Sequence, residues 1–382
     1  MRIMRTALAS LFTAAIACAL SPSAQAAPSP VALDHRSAKV CAAAAPGTAT
    51  CHAWVRTDVT PAAVPAGYGP SDLRSAYNLT GSGSSSQTIA IVDAYDDPTA
   101  EADLATYRST YGLPACTTAN GCFKKVDQTG GTSYPRRNTG WAQEISLDLD
   151  MASAICPNCK ILLVEAKTNS FANLGTAVNY AATHATVVSN SWGGGDAADS
   201  TYGSYFNHPG VPITASSGDN GYGASYPATS QYVTAVGGTH LVMSGGVRSS
   251  ETVWSGAGSG CSAYNTALSA QSTFNTGCAK RAEADVSAVA DPNTGVSVMY
   301  NGSWYIFGGT SVSAPIIASV YALAGNGTST TPNYPYQHAG SANFFDVTSG
   351  SNGSCPTSQW CNARAGWDGP TGVGTPNGVG GF

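Results

Sequence analysis

The chain reads as an α/β protein with a central, mostly parallel sheet and helices on both faces. Short apolar, β-branched runs alternate with longer helix-patterned segments between residues 88 and 325, the order that parallel βαβ units produce. The body from residue 68 to 382 holds 315 residues without an internal repeat, a size that suits one α/β catalytic domain with loops. Strands are expected at 88–93, 160–166, 186–189, 211–215, 232–236 and 304–308. Helices are expected near 98–111, 141–154, 172–184 and 311–325. The 141–154 segment mixes apolar residues with acids, but it runs into Ser153-Ala154 and a Cys-Pro stop, which favours helix over strand.

The ends of the chain suggest export. Arg2 and Arg5 precede an apolar run from Ala7 to Leu20, and Ala24-Gln25-Ala26 supplies small residues for cleavage, so residues 1–26 read as a signal peptide. That apolar run is too short for a membrane span, and no later segment offers ~18 uninterrupted apolar residues. Removing Cys18 leaves ten of the 11 cysteines, an even number in an exported chain. They fall into close couples: Cys41 with Cys51, Cys116 with Cys122, Cys156 with Cys159, Cys261 with Cys278, and Cys355 with Cys361. Local disulfides are expected in each. Cys156-Pro157-Asn158-Cys159 could alternatively be a redox pair or half a zinc site, but no second such pair or nearby histidine supports zinc. Only 10% of residues are charged; the net charge is −5, or −7 without Arg2 and Arg5, and no basic patch speaks for nucleic acid. So low a charge suits an extracellular protein working in acid. No membrane partner is expected, and a monomer is.

Three motifs carry chemistry. In Gly309-Thr310-Ser311-Val312-Ser313-Ala314-Pro315 a strand-like run leads through glycines into an apolar helix. A serine at that turn sits among the unpaired N–H groups of a helix N-terminus, where an oxyanion is stabilised. Ser311 is the candidate nucleophile, although a serine before a helix is most commonly only a cap. On the 141–154 helix, Glu144 and Asp148 are i,i+4 neighbours, with Cβ atoms roughly 5–6 Å apart. Two such carboxylates repel when both are ionised, so one keeps a proton and the pair can act as an oriented base. The helix is apolar around them and nearly free of Lys and Arg, which argues against a solvated acidic face. The third motif, Ser216-Ser217-Gly218-Asp219, closes an apolar strand. Asp219 either forms a turn or, kept neutral by its site, donates to an oxyanion.

Together these motifs resemble the sedolisins, serine-carboxyl peptidases with a subtilisin-like fold. Ser189-Asn190-Ser191-Trp192-Gly193-Gly194 and Thr234-Ala235-Val236-Gly237-Gly238-Thr239 extend the resemblance, which covers about residues 68 to 382. It implies that Ser311 is the nucleophile, Glu144 the general base and acid, Asp148 its orienting partner and Asp219 the oxyanion-hole acid. Asp93, ending the run from Thr88 to Val92, sits where some members extend the carboxyl network. A subtilisin-type enzyme would carry a histidine followed by Gly-Thr, and none of the six histidines here has that context. The C-terminal segments around Phe345-Asp346-Val347 and Gly366-Trp367-Asp368 are similar to the family's calcium loop. The resemblance assigns one structural calcium ion to the carboxylates of Asp346 and Asp368 and the carbonyls of Val347, Arg364 and Gly366; oxygen ligands suit calcium. Arg364 stands where members often have glycine.

The resemblance implies a secreted endopeptidase that hydrolyses proteins or peptides in acid. The alternative is a catalytically silent relative that binds peptides or cell-wall material. Residues 27–67 form a short pro-segment or N-terminal extension, much smaller than the folded pro-domain usual in the family, and residues 68–382 the catalytic domain.

Overall fold

The computed structural model describes Met1 and residues 35–382; the signal peptide expected over 1–26 lies outside the described residues, as does the start of the 27–67 segment. Three short strands come first: β1 (Ser37–Lys39), β2 (Thr50–Cys51) and β3 (Trp54–Arg56). After α1 (Pro70–Ala76) come β4 (Thr88–Ala94), α2 (Ala100–Thr110), β5 (Phe123–Asp127) and α3 (Thr139–Ile155). Next are β6 (Lys160–Ala166), α4 (Phe171–Ala182), β7 (Val187–Asn190) and β8 (Trp192–Gly195). The short α5 (Asp199–Tyr202) leads to β9 (Ile213–Ser216), β10 (Ser225–Tyr226), β11 (Thr234–Ser244) and β12 (Val247–Val253). The two-residue strands β13 (Gly260–Cys261) and β14 (Ala282–Glu283) precede β15 (Val286–Val289), β16 (Val296–Tyr300), β17 (Ser303–Gly308) and α6 (Thr310–Ala324).

The main sheet runs β12-β11-β9-β7-β4-β6-β5, with β15 also against β11. Every neighbour is parallel except the β11–β12 hairpin. The expected mostly parallel sheet is therefore present. At its centre, six of the seven residues of β4 are buried, the signature of a strand covered on both faces. Helices α3 and α6 pack on one another and on this sheet, while α4 packs against β4, β6 and β7.

The five expected disulfides are all formed: Cys41–Cys51, Cys116–Cys122, Cys156–Cys159, Cys261–Cys278 and Cys355–Cys361. The sequence pattern ends one strand at Val236, before Gly237-Gly238. The structure carries β11 on to Ser244, because these glycines admit close neighbours rather than end the strand: a Cβ on Gly237 would sit 2.0 Å from the Pro370 carbonyl. The segment before residue 68 is built into the body. β3 pairs with β1 and with β17, and β2 pairs with β8.

Candidate active site

Helix α3 begins at Asn138, whose side chain accepts the Trp141 N–H at 3.2 Å, and every residue from Glu144 to Ile155 is buried. A helix apolar all round lies in the core, so its acids have left water. The Glu144 and Asp148 side chains are wholly buried, as is Asp93 at the end of β4. Neither Glu144 oxygen has a hydrogen-bond partner, and the same holds for both Asp93 oxygens and for Asp148 Oδ2. Burial, then the charges of Asp148 and Asp93, push the Glu144 carboxyl well above the usual range. Burial, then Asp93, does the same to Asp148. Burial pushes Asp93 up to about 8. Three carboxyls thus share one dry site in which full ionisation is disfavoured. Asp150, two residues on, plays a structural part. Its Oδ2 accepts the Met299 N–H at 2.8 Å and ties α3 to β16.

Ser311 is the second residue of α6 and is fully buried. Its hydroxyl donates to the Ser191 carbonyl at 3.0 Å. Ser311 also lies close enough to Glu144 to favour the ionised carboxyl. Pro315 has no N–H with which to close the helical bond to the Ser311 carbonyl. That carbonyl instead receives the Ser191 hydroxyl at 3.4 Å, and the same hydroxyl donates to Asp148 Oδ1 at 2.8 Å. Ser191 therefore links the Ser311 backbone to the second carboxyl, a link the sequence motif does not disclose.

Asp219 follows β9 and is 5% exposed. Its Oδ1 accepts both the Thr310 N–H and the Thr310 hydroxyl, each at 2.8 Å, while Oδ2 has no partner. Burial pushes this carboxyl up to about 7. With Oδ1 accepting two donors, any proton that Asp219 carries belongs on Oδ2. Thr310, too, escapes a reading of the sequence; its place in the Gly-Thr-Ser run is the only signal. Among the described residues no histidine bonds to Ser311 through its side chain. His35 pairs with Asp58, His240 with Asp291, and His52 with the Ser216 hydroxyl.

In the C-terminal loop, Asp368 is buried and Asp346 is exposed. Asp368 Oδ1 accepts the Thr371 N–H and hydroxyl, and Oδ2 accepts the Arg364 N–H at 3.2 Å. Asp346 accepts the Gly366 N–H at 2.9 Å. The Arg364 guanidinium is engaged by Gln359. Among the described residues no group of three or more His, Cys, Asp or Glu side chains gathers as a metal cluster, so any ion here would depend on carbonyls.

Residues 136–339 match the subtilase family. The chain is 31% identical to kumamolisin of Bacillus sp. (strain MN-32) over 83% of its own length and 63% of that protein's. It is 32% identical to sedolisin of Pseudomonas sp. (strain 101) over 44% of its own length and 33% of the relative's. The chain therefore spans less than two thirds of either relative. Among solved structures it superposes on a Pseudomonas sedolisin, a serine-carboxyl proteinase complexed with pseudo-iodotyrostatin, with a TM-score of 0.70 and 25% identity. That match covers 82% of this chain and 96% of the other.

Proposed function

Because the chain belongs to the subtilase family and, within it, to the sedolisins, we propose that it is a secreted serine-carboxyl endopeptidase, most active in acid. One observation carries the reading: a buried serine hydroxyl at a helix N-terminus lies beside buried, unpartnered carboxyls, and no histidine side chain reaches it. Ser311 Oγ attacks the scissile carbonyl carbon as Glu144 takes its proton. Asp148, held by Ser191, keeps Glu144 oriented and shares the burden of charge. The tetrahedral oxyanion is met by the Ser311 N–H and by the proton on Asp219 Oδ2. Glu144 then passes its proton to the leaving amine, and water repeats the sequence on the acyl-enzyme. All of this needs neutral Asp219 and a partly protonated Glu144–Asp148 pair, so activity belongs on the acid side of about 7.

Calcium is read as a structural ion of the C-terminal loop, outside the chemistry. The carboxylates of Asp346 and Asp368 would hold it with the carbonyls of Val347, Arg364 and Gly366. Burial first, and the charge of Asp346 last, raise the Asp368 carboxyl to about 7; a divalent ion would relieve the like-charge part of that cost.

The test is a pH profile of casein digestion by the wild type, with Ser311→Ala as control. Activity peaking in acid and lost in Ser311→Ala supports the reading. Activity greatest above neutrality, and intact in Glu144→Ala, contradicts it. No digestion at any pH would favour the silent, peptide-binding alternative.

A further inference from the structure

One cavity lies away from the carboxyls, at the rim of the main sheet where β9 and β11 begin. Ile213 and Thr234, the first residues of those strands, both line it. Asp219 follows the other end of β9, so the cavity and the candidate active site occupy opposite rims. Its volume is about 150 Å³, enough for one benzene ring. The walls are rings and branched aliphatic groups: Phe206, Pro212, Ile213, Tyr232 and Pro332. Exposed Asn207, Pro209 and Thr331 form its mouth. Among the described residues, no Lys, Arg, Asp or Glu lines it. Burial holds the His208 ring in its wall below the usual histidine range, so the lining is uncharged near neutrality.

The inner end is polar at one place. Thr234 pairs in register with Thr214 of β9, whose hydroxyl donates to the Ala314 carbonyl at 3.2 Å, so both threonines face α6. Two helical turns beyond Ala314 comes Tyr321, on the same stripe of α6. The Tyr321 and Thr234 hydroxyls meet at 3.2 Å, and each residue is 2% exposed. Burial pushes the phenol above its usual range, so it keeps its proton. Two hydroxyl protons thus share one hydrogen bond, and neither oxygen has another partner among the described residues. One O–H is left without an acceptor at the base of the cavity, a cost that a ligand oxygen would remove.

We propose that this cavity is a binding site for a small, uncharged aromatic carbonyl compound, its ring between the walls and its oxygen accepting the free hydroxyl proton. Each part of that ligand answers an observation. The volume of about 150 Å³ admits one six-membered ring with a short substituent. The rings of Phe206 and Tyr232 favour a flat aromatic partner in offset or edge-on contact. An uncharged lining offers an ion nothing in place of its water. A carbonyl oxygen accepts the proton and brings no donor of its own to be satisfied. Tyr321 stands ten residues along α6 from Ser311, about 15 Å at the helical rise of ~1.5 Å per residue. The ligand is therefore too distant to touch the nucleophile.

Acetophenone is the probe, and isopropenylbenzene, in which a CH2 replaces the carbonyl oxygen, is its match in shape. Both are titrated by ligand-observed NMR into Ser311→Ala, which cannot digest itself, and into the same chain carrying Thr234→Val and Tyr321→Phe. Saturable binding of acetophenone is expected, weakened about tenfold when both hydroxyls are removed, the factor for one hydrogen bond. Isopropenylbenzene should keep or improve its affinity. If the hydroxyl-free chain does not fold, Val211→Trp, at a half-buried position of the lining, decides instead. It should abolish binding of both probes. Equal weakening of the two probes by the hydroxyl substitutions, or binding that Val211→Trp leaves unchanged, overturns the proposal. So does the absence of saturable binding, which would make this a cavity for water alone. Acetophenone that competes with casein in the wild type would belong to the cleft, and that too contradicts the site.

Discussion

Two regions of this molecule gather carboxyl groups, and they use them in opposite ways. In the C-terminal loop the oxygens of Asp368 accept three donors from Arg364 and Thr371, and Asp346 accepts the Gly366 N–H. On α3 and β4, Glu144 and Asp93 are buried without any partner. The donors make Asp368 an anchor and favour its charge, although burial outweighs them and raises this carboxyl to about 7. A carboxyl deprived of donors can avoid the cost of burial only by keeping its proton. The difference separates groups that shape the chain from groups proposed to move protons.

The largest effect expected from this contrast is on turnover. Glu144→Ala should lower kcat by on the order of 10³-fold or more, since the members of such a unit act together. Asp346→Ala should leave kcat close to wild type at a temperature where both are folded. Comparable losses in the two variants, measured by casein hydrolysis, would erase the distinction.

Asp219 stands between the two classes, with one oxygen bound to Thr310 and one free. Asp219→Ala should cost roughly 10²–10³-fold in kcat, as for one oxyanion donor, with little change in KM. Asn keeps the bonds to Thr310 and donates without needing a proton. Asp219→Asn should therefore retain part of the activity and lose the decline that accompanies ionisation near pH 7. A wild-type rate in Asp219→Ala would make this residue a turn former only.

Stability should follow the unpartnered groups. Unfolded carboxyls ionise near pH ~4, whereas burial holds Asp219 to about 7 and Asp93 to about 8. Between those limits the folded chain binds more protons than the unfolded one, so stability falls as pH rises from about 4 to about 8. Thermal melts of Ser311→Ala, which cannot digest itself, should show Tm dropping across that window. A Tm that rises through it would contradict the assignment of neutral buried acids.

The smallest effect belongs to the loop. If Asp346 and Asp368 hold calcium, chelation near neutrality should lower Tm by a few degrees, as removal of a ligand bound only to the native state does. Identical melts with and without chelator would reduce both residues to hydrogen-bond anchors.

The region of unpartnered carboxyls is unusually legible in the sequence. Glu144 and Asp148 at helical spacing, among apolar residues and without Lys or Arg, already imply burial, and Gly309-Thr310-Ser311 marks a strand-to-helix turn by local chemistry alone. The strands β4, β6, β7 and β9 that build the sheet's centre are apolar runs visible to the same reading. What stays hidden depends on distant partners. Thr50 and Cys51 find β8 some 140 residues away, and Trp54 finds β17 after about 250; nothing in a three-residue strand announces such a neighbour. His52 has the wrong sequence context for a base. Its carbonyl, a group every residue has, accepts the Ser311 N–H at 3.1 Å. Ser191 and Thr310 act through single hydrogen bonds whose geometry only the folded chain defines.

The central claim is that the Glu144–Asp148 pair keeps a shared proton at a pH where an exposed carboxyl has lost it, which leaves one carboxyl of the pair to act as base. Difference infrared spectroscopy of Ser311→Ala against Ser311→Ala/Glu144→Gln reads this directly through the carboxylic-acid C=O stretch. The account predicts that, at pH 6, Ser311→Ala shows a protonated-carboxyl band that the double variant lacks. Spectra that match at pH 6, with the Glu144 band already gone near pH ~4 as for an ordinary carboxyl, would contradict it.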